Sequence, residues 1–154
     1  MVKDMKRKVL IAIDHKWRDL PGYVYIGELL KNKGFEVEYC RNGLESFYIQ
    51  GFKPNIIIIN HLYDKARQRY FNKVANWGVK VVILPTEGIP TLEKFREFAA
   101  GVDNDLSCIS LHFLWNQPML EMTDKNTTIE RNKLKVVGVP RFDFYKNPLK
   151  STLT

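Results

Sequence analysis

Three apolar runs of this 154-residue chain end in polar side chains that can take part in chemistry. The runs are residues 9–13, 56–59 and 81–84. The polar residues that follow them include Asp14 and His15, Asn60 and His61, and Thr86, Glu87 and Gly88. Amide and hydroxyl groups hydrogen-bond a polar ligand, and a carboxylate near an imidazole can orient it or act as a base itself. The residue types therefore favour binding of a polar substrate together with proton transfer.

Short, unbroken β-branched runs are typical of strands that are buried on both faces of a parallel sheet. In such sheets, ligands bind just outside the carboxyl ends of the strands. The sequence therefore predicts an α/β fold, a three-layer Rossmann-like parallel sheet of about six strands with helices on both faces. We expect the polar residues to lie along one rim of this sheet.

Strand and helix patterns alternate almost from end to end. The predicted strands are 8–13, 35–40, 55–59, 80–84, 106–110 and 135–139. The predicted helices are 22–33, 44–50, 64–76, 90–100 and 117–122, with Asp64 as an N-cap and Gly34, Gly51 and Gly78 as stops. Short connections and right-handed crossovers favour the strand order 3-2-1-4-5-6. That order puts strand 1 beside strand 4, so that Asp14 and His15 face Thr86, Glu87 and Gly88.

The composition is that of an ordinary globular domain, with 45% hydrophobic and 27% charged residues. We expect one domain over residues 1–146, and a tail or the start of a linker to a second domain over 147–154. Cys40 and Cys108 are predicted to be buried thiols in a reducing cytosol. No Cys or His spacing indicates a metal site.

The net charge of +7 is compatible with nucleic acid, an anionic membrane face or a phosphate-bearing ligand. The basic residues are scattered and are not interleaved with aromatic residues as a single-strand platform requires, which argues against nucleic acid. Neither a Gly-x-Gly-x-x-Gly segment after the first strand nor a Walker A sequence is present, which argues against a dinucleotide site or a P-loop.

Each candidate residue also has a structural interpretation. Asp14 either hydrogen-bonds a sugar hydroxyl or caps the segment that follows. Asn60 and His61 either bind a polar substrate or satisfy backbone groups of their loop. His15 and Glu87 either act together in catalysis or lie apart in solvated loops.

Two further residues also have both a functional and a structural interpretation. Trp115 either stacks on a sugar face or packs in the core. Arg141, which follows the last predicted strand, either contacts a phosphate or forms an ion pair that fixes the end of the domain.

The segment Val136-Val137-Gly138-Val139-Pro140-Arg141-Phe142-Asp143 resembles a known motif. Bacterial surface-carbohydrate and capsule biosynthesis proteins of the GT-B glycosyltransferase type carry Gly-Asn-Pro-Arg-Phe-Asp near the end of their first Rossmann-like domain. Here Val139 takes the place of the Asn. The turn at 85–88 resembles their acidic-Glu-Gly turn. The segment ending at Trp115-Asn116 resembles their Trp-Gly segment, with Asn116 where Gly is usual.

The resemblance implies an acceptor-side N-terminal domain of a glycosyltransferase for bacterial surface polysaccharide, which is inactive alone. The nucleotide-sugar donor is expected on a second domain, and this domain itself is expected to bind no cofactor and no metal. Glu87 and His15 are the predicted catalytic residues, which deprotonate or position the acceptor hydroxyl. The predicted substrate-binding residues are Asp14, Asn60, His61, Thr86, Gly88 and Arg141.

The expected partners are a glycan or lipid-linked glycan acceptor and a second GT-B domain or partner chain. The expected location is the cytoplasm, with association at the inner membrane face as a further expectation. The alternative is a non-catalytic Rossmann-like module that binds a small anionic ligand or a partner protein. A third interpretation, a receiver-like domain phosphorylated at Asp64, lacks the acidic pair after strand 1 and the Lys after strand 5.

Overall fold

The computed structural model describes residues 7–62, 64–86 and 106–145, with the backbone alone at Arg141. Six parallel strands form one sheet: β1 (Lys8–Ile13), β2 (Glu36–Arg41), β3 (Ile56–Ile59), β4 (Lys80–Ile83), β5 (Ile109–Leu114) and β6 (Leu134–Val136). The α-helices within these ranges are α1 (Lys16–Asn32), α2 (Glu45–Phe52), α3 (Lys65–Asn76) and α4 (Gln117–Asn126). Two short 3₁₀ helices span Arg131–Lys133 and Pro140–Tyr145. The predicted α/β, Rossmann-like class is confirmed.

The strand order is β2-β1-β3-β4-β5-β6, so the predicted order 3-2-1-4-5-6 is wrong. Strand β1 pairs with β2 on one side and with β3 on the other, with Leu10 opposite Glu38 and Ile57. The physical reason lies in the two neighbours of β1. Strand β3 consists of four Ile residues and needs cover on both faces, whereas β2 alternates exposed and half-buried residues and suits a sheet edge.

The chain divides into two compact units. The described part of the first unit is 7–58 with 140–145, and that of the second unit is 59–62, 64–86 and 106–139. In the first unit, the buried core includes Leu10, Ile11, Tyr23 and Ile57. In the second unit, Phe71, Val74, Val81, Ile109 and Leu114 are buried.

Helix α1 begins at Lys16 instead of the predicted Gly22 and includes Pro21 in its interior. Its start is fixed by His15, whose Nδ1 accepts a hydrogen bond from the Arg18 backbone N–H at 3.2 Å. This cap satisfies an N–H that the helix itself leaves without a partner. The helix stops as predicted near Gly34, which has a φ of 88°.

Helix α2 does not close at Gly51 as predicted but continues through it to Phe52. The left-handed residue that ends it is Lys53, with a φ of 52° and a backbone N–H that donates to the Ile49 carbonyl oxygen at 3.0 Å. A non-glycine residue in this conformation is uncommon, so the sequence carries no signal for this end.

Helix α3 follows the prediction at both ends. Asp64 caps it by accepting the Arg67 backbone N–H at 2.9 Å, and Gly78 has a φ of 87° beyond its end. Two of its apolar residues do not pack inward, since Ala66 and the C-cap residue Trp77 are exposed. The buried Gln68 faces inward with Phe71, because its Nε2 donates to the Leu62 carbonyl oxygen at 3.1 Å.

Strand β5 begins at Ile109, three positions after the predicted Leu106. The Ile109 N–H donates to the Leu106 carbonyl oxygen at 3.1 Å, so residues 106–109 form a turn that a strand cannot include. Strand β6 and helix α4 lie at 134–136 and 117–126 in place of the predicted 135–139 and 117–122. The predicted helix 90–100 lies outside the described residues.

No helix within 7–62, 64–86 and 106–145 combines the length and the apolar character that a membrane crossing requires.

Candidate functional site

In the first unit, the residues after β1 and β2 form one polar network. Asp14 accepts a hydrogen bond from Asn42 Nδ2 at 2.7 Å through Oδ1 and from Arg18 Nη2 at 3.2 Å through Oδ2. Arg18 also donates to the buried Asp19 through Nε at 2.6 Å and Nη2 at 3.0 Å. One guanidinium therefore bridges two carboxylates, a geometry that suits the planar fork of arginine.

This network gives Asp14 a structural role that neither sequence interpretation described. The cap of α1 is His15, whereas Asp14 links the turn after β1 to Asn42, whose backbone N–H also donates to the Ile13 carbonyl oxygen at 2.8 Å. Both Asp14 carboxylate oxygens are engaged within the protein. A hydroxyl of a ligand that bound to Asp14 would share these acceptors with Arg18 and Asn42.

The cap fixes the tautomer of His15 in its neutral form. Because Nδ1 accepts from the Arg18 N–H, the proton of the neutral ring is on Nε2. His15 is exposed, and its backbone N–H donates to Asp19 Oδ2 at 2.9 Å. In this arrangement, the His15 side chain presents a hydrogen-bond donor to solvent.

In the second unit, three polar residues follow the carboxyl ends of the neighbouring strands β3, β4 and β5. The Leu84 N–H donates to the Ile59 carbonyl oxygen at 2.8 Å, which aligns the ends of β3 and β4. Asn60, which follows Ile59, is buried, and so is Thr86 on the segment after β4. The Trp115 indole N–H, from the segment after β5, donates to the Pro85 carbonyl oxygen at 2.8 Å.

The Trp115 hydrogen bond positions the turn that carries Thr86. Pro85 is buried and Trp115 half-buried, so the bond between them is largely shielded from water. Among the described residues, the buried Thr86 Oγ1 has no hydrogen-bond partner. The side chains of Asn60, Thr86 and Trp115 thus supply an amide, a hydroxyl and an indole, all of them uncharged. Neutral hydrogen-bonding groups of this kind can bind a polar ligand. We name Asn60, Thr86 and Trp115 the carboxyl-edge cluster.

The other predicted site residues fall into two groups. His61 lies next to the cluster in sequence and is half-buried. Glu87, Gly88 and the Arg141 side chain lie outside the described residues, and the Arg141 backbone belongs to the 3₁₀ helix Pro140–Tyr145. Asn60 and Thr86 therefore follow the neighbouring strands β3 and β4 in the second unit, and Asp14 and His15 follow β1 in the first.

Sequence reasoning missed the contacts that hold these groups in place. Arg18, Asp19 and Asn42 carry the first network, and Trp115 carries the second. The spacing of His15 and Asp19 on the first turn of α1 was the available signal, because a side chain in the first turn of a helix can reach back to the cap N–H.

Among the titratable groups of the described residues, His112 on β5 has the pKa that its surroundings shift most clearly. Burial lowers the pKa of His112 to about 4, because the charged ring loses its hydration. Its Nδ1 has no hydrogen-bond partner within the described ranges. His112 is opposite Ile83 and Leu134 in the sheet, so its two cross-strand partners are apolar.

No group of three His, Cys, Asp or Glu side chains capable of holding a metal ion occurs in the described part of the chain. No protein-family model, curated protein or solved structure matches this chain.

Proposed function

We propose that this chain is the acceptor-side half of a GT-B-type glycosyltransferase for bacterial surface polysaccharide. The observation that supports it is the carboxyl-edge cluster, in which Asn60 and Thr86 are buried after β3 and β4, and the Trp115 indole after β5 donates to the Pro85 carbonyl oxygen. Neutral hydrogen-bonding groups next to an aromatic side chain suit a sugar, which has hydroxyl groups around an apolar ring face. The segment 136–143 and the turn at 85–88 add the resemblance described above.

In the proposed reaction, Glu87 is the general base. Its carboxylate takes the proton of the acceptor hydroxyl while the hydroxyl oxygen bonds to the anomeric carbon of the donor sugar. The bond between that carbon and the nucleoside diphosphate breaks, and the diphosphate leaves with the electron pair. The donor belongs to the second domain that the resemblance implies.

His15 takes a different part in this proposal, because its Nδ1 is engaged in the helix cap. Within the first unit, its Nε2 can donate a hydrogen bond to a ligand oxygen, rather than remove a proton. Asp14, Asn60, His61, Thr86, Gly88 and Arg141 remain the proposed substrate-binding residues. The net charge of +7 favours an anionic or lipid-phosphate-linked acceptor at the cytoplasmic face of the membrane.

The three tryptophans of the chain allow a direct binding test. The indole N–H signals of ¹⁵N-labelled protein are followed by NMR during titration with methyl glycosides of glucose, galactose and N-acetylglucosamine. We expect at least one glycoside to shift the Trp115 signal saturably. Trp17 and Trp77 are 80% and 65% exposed, lie outside the cluster and serve as internal controls. Equal shifts of all three signals, or none at Trp115, would contradict the proposal.

A matched pair of threonine variants tests whether the cluster itself binds the sugar. Thr86→Val removes the Oγ1 at the cluster, and Thr123→Val removes an equally buried hydroxyl on α4. We expect Thr86→Val to weaken glycoside binding about tenfold, since a lost polar contact is worth about 1.4 kcal/mol. Thr123→Val is expected to leave binding unchanged, and a similar loss in both variants would contradict a specific role for Thr86.

Catalysis is tested in the enzyme assembled with its donor-binding half. Glu87→Gln is expected to lower kcat about 10²- to 10⁴-fold, the usual contribution of a general base. An unchanged kcat would remove Glu87 from the mechanism.

A further inference from the structure

The second unit contains a cavity of about 580 Å³ at the amino ends of β4 and β5. This is the opposite edge of those strands from the carboxyl-edge cluster. The polar residues that line it include Asn72 and Asn76 of α3, Lys80 of β4, Ser107 and Ser110 near the start of β5, and Lys133 of the first 3₁₀ helix. Its volume lies within the range of about 300–1,000 Å³ that is usual for small-molecule sites.

The charged residues of the cavity wall that the structure describes are all positive. Two lysines line it, and none of the described lining residues is Asp or Glu. Lys133 is paired with Glu130 at 2.8 Å, but Glu130 is exposed and lies outside the wall. Lys80 forms no ion pair with a described residue, so its positive charge is uncompensated at the wall.

Part of the neutral wall is held rigidly. Asn72 Oδ1 accepts the Cys108 backbone N–H at 3.1 Å, which ties α3 to the turn before β5. The Gly78 N–H donates to the Ala75 carbonyl oxygen at 2.9 Å and fixes the turn that leads into Lys80. The cavity is therefore bounded by backbone that internal hydrogen bonds already order, which lowers the entropic cost of binding.

We propose that this cavity binds a small phosphorylated organic molecule. Lys80 and Lys133 hold the phosphate group, because an ammonium ion is a compact positive charge that suits phosphate oxygens. Hydroxyl and amide groups of Ser107, Ser110 and Asn76 hydrogen-bond the organic part. The size of the cavity favours such a molecule over a phosphate ion alone. The proposal does not depend on the glycosyltransferase proposal, since the two sites share no residue.

The test is an NMR titration of the ¹⁵N-labelled chain with ribose 5-phosphate. We expect saturable shifts of the backbone amides of Gly78, Ser107 and Ser110, and no shift of the Trp115 indole signal. Ribose is the control for the phosphate group and inorganic phosphate the control for the organic part. Each is expected to bind at least about tenfold more weakly. No saturable shift with ribose 5-phosphate, or equal binding of either control, overturns the proposal.

Two lysine variants separate a site from general attraction to a basic protein. Lys80→Met removes the uncompensated charge of the cavity, whereas Lys73→Met removes an exposed charge of α3 outside it. We expect Lys80→Met to raise the Kd for ribose 5-phosphate about tenfold and Lys73→Met to change it less than about twofold. Equal effects of the two variants overturn the proposal. Retained dispersion of the NMR spectrum shows that each variant is folded.

Discussion

A steric contact within the first unit predicts opposite effects for the same substitution at two helical glycines. A Cβ added at Gly27 of α1 would overlap the Tyr39 hydroxyl and ring of β2. A Cβ added at Gly51 of α2 would meet no heavy atom within 4 Å. In both helices, alanine gains up to about 1 kcal/mol over glycine from lower backbone entropy in the unfolded chain and better helix propensity. Only Gly27→Ala also carries a steric cost.

That cost determines the sign of the effect. Forcing a methyl group into occupied space costs about 1–3 kcal/mol, since the half-buried Tyr39 ring must leave its place beside α1. Gly27→Ala is therefore expected to lower the free energy of unfolding by up to about 2 kcal/mol. Gly51→Ala is expected to raise it by about 0.5–1 kcal/mol. Urea denaturation followed by circular dichroism measures both values.

A third variant identifies the cause. In a Tyr39→Leu background, the shorter side chain removes the overlap, so Gly27→Ala should become neutral or stabilising. The difference between the effects of Gly27→Ala on the free energy of unfolding in the two backgrounds is the coupling energy of a double-mutant cycle. If Gly27→Ala stabilises the chain as much as Gly51→Ala does, with Tyr39 present, the reasoning about this contact is wrong.

Three further predictions concern buried charge, pH and capping. Arg18→Met should lower the free energy of unfolding by about 3 kcal/mol, because the buried Asp19 carboxylate loses its cation; urea denaturation showing a change below about 1 kcal/mol would contradict this. The depressed pKa of His112 predicts stability that is complete above pH 6.5 and falls by up to about 3 kcal/mol as the pH falls to 4, because only the unfolded state binds the proton there. An NMR titration of the ring should give a pKa near 4, and a pKa near 6.5 would refute the burial argument. Asp64→Ala should lower the free energy of unfolding by about 1 kcal/mol, because α3 loses its N-cap. Asp124→Ala, which removes a surface ion pair, should lower it by less. Equal decreases in urea denaturation would contradict the proposed role of the cap.

The sequence predicted the class of the fold because burial on two faces leaves a strong composition signal. Strand β1 and the ends of α3 follow their patterns closely, since β-branched residues, Asp64 and Gly78 each act locally. The predicted strand order was wrong because the position of β3 in the sheet depends on which strands pair with it on either side. Its four Ile residues and the alternation in β2 pointed to the observed order, but the expectation followed the commoner topology.

The candidate site was predictable in its residue types and less so in their contacts. Asn60 and Thr86 could be placed at strand ends from apolar runs alone. The bond between Trp115 and Pro85 joins residues 30 positions apart, and no local pattern encodes it. The sequence prediction began α1 at Gly22, whereas the cap by His15 and the Asp19 carboxylate fixes its start at Lys16.

The two outer strands of the sheet have consequences for self-association. The exposed residues of β2 include Glu36, Glu38 and Arg41, and β6 has only three residues, one of them Lys135. Charged side chains and short length discourage an outer strand from pairing with a strand of another molecule. Within the described residues, the sheet therefore ends at β2 and β6 without a long apolar edge strand on which a fibril could grow.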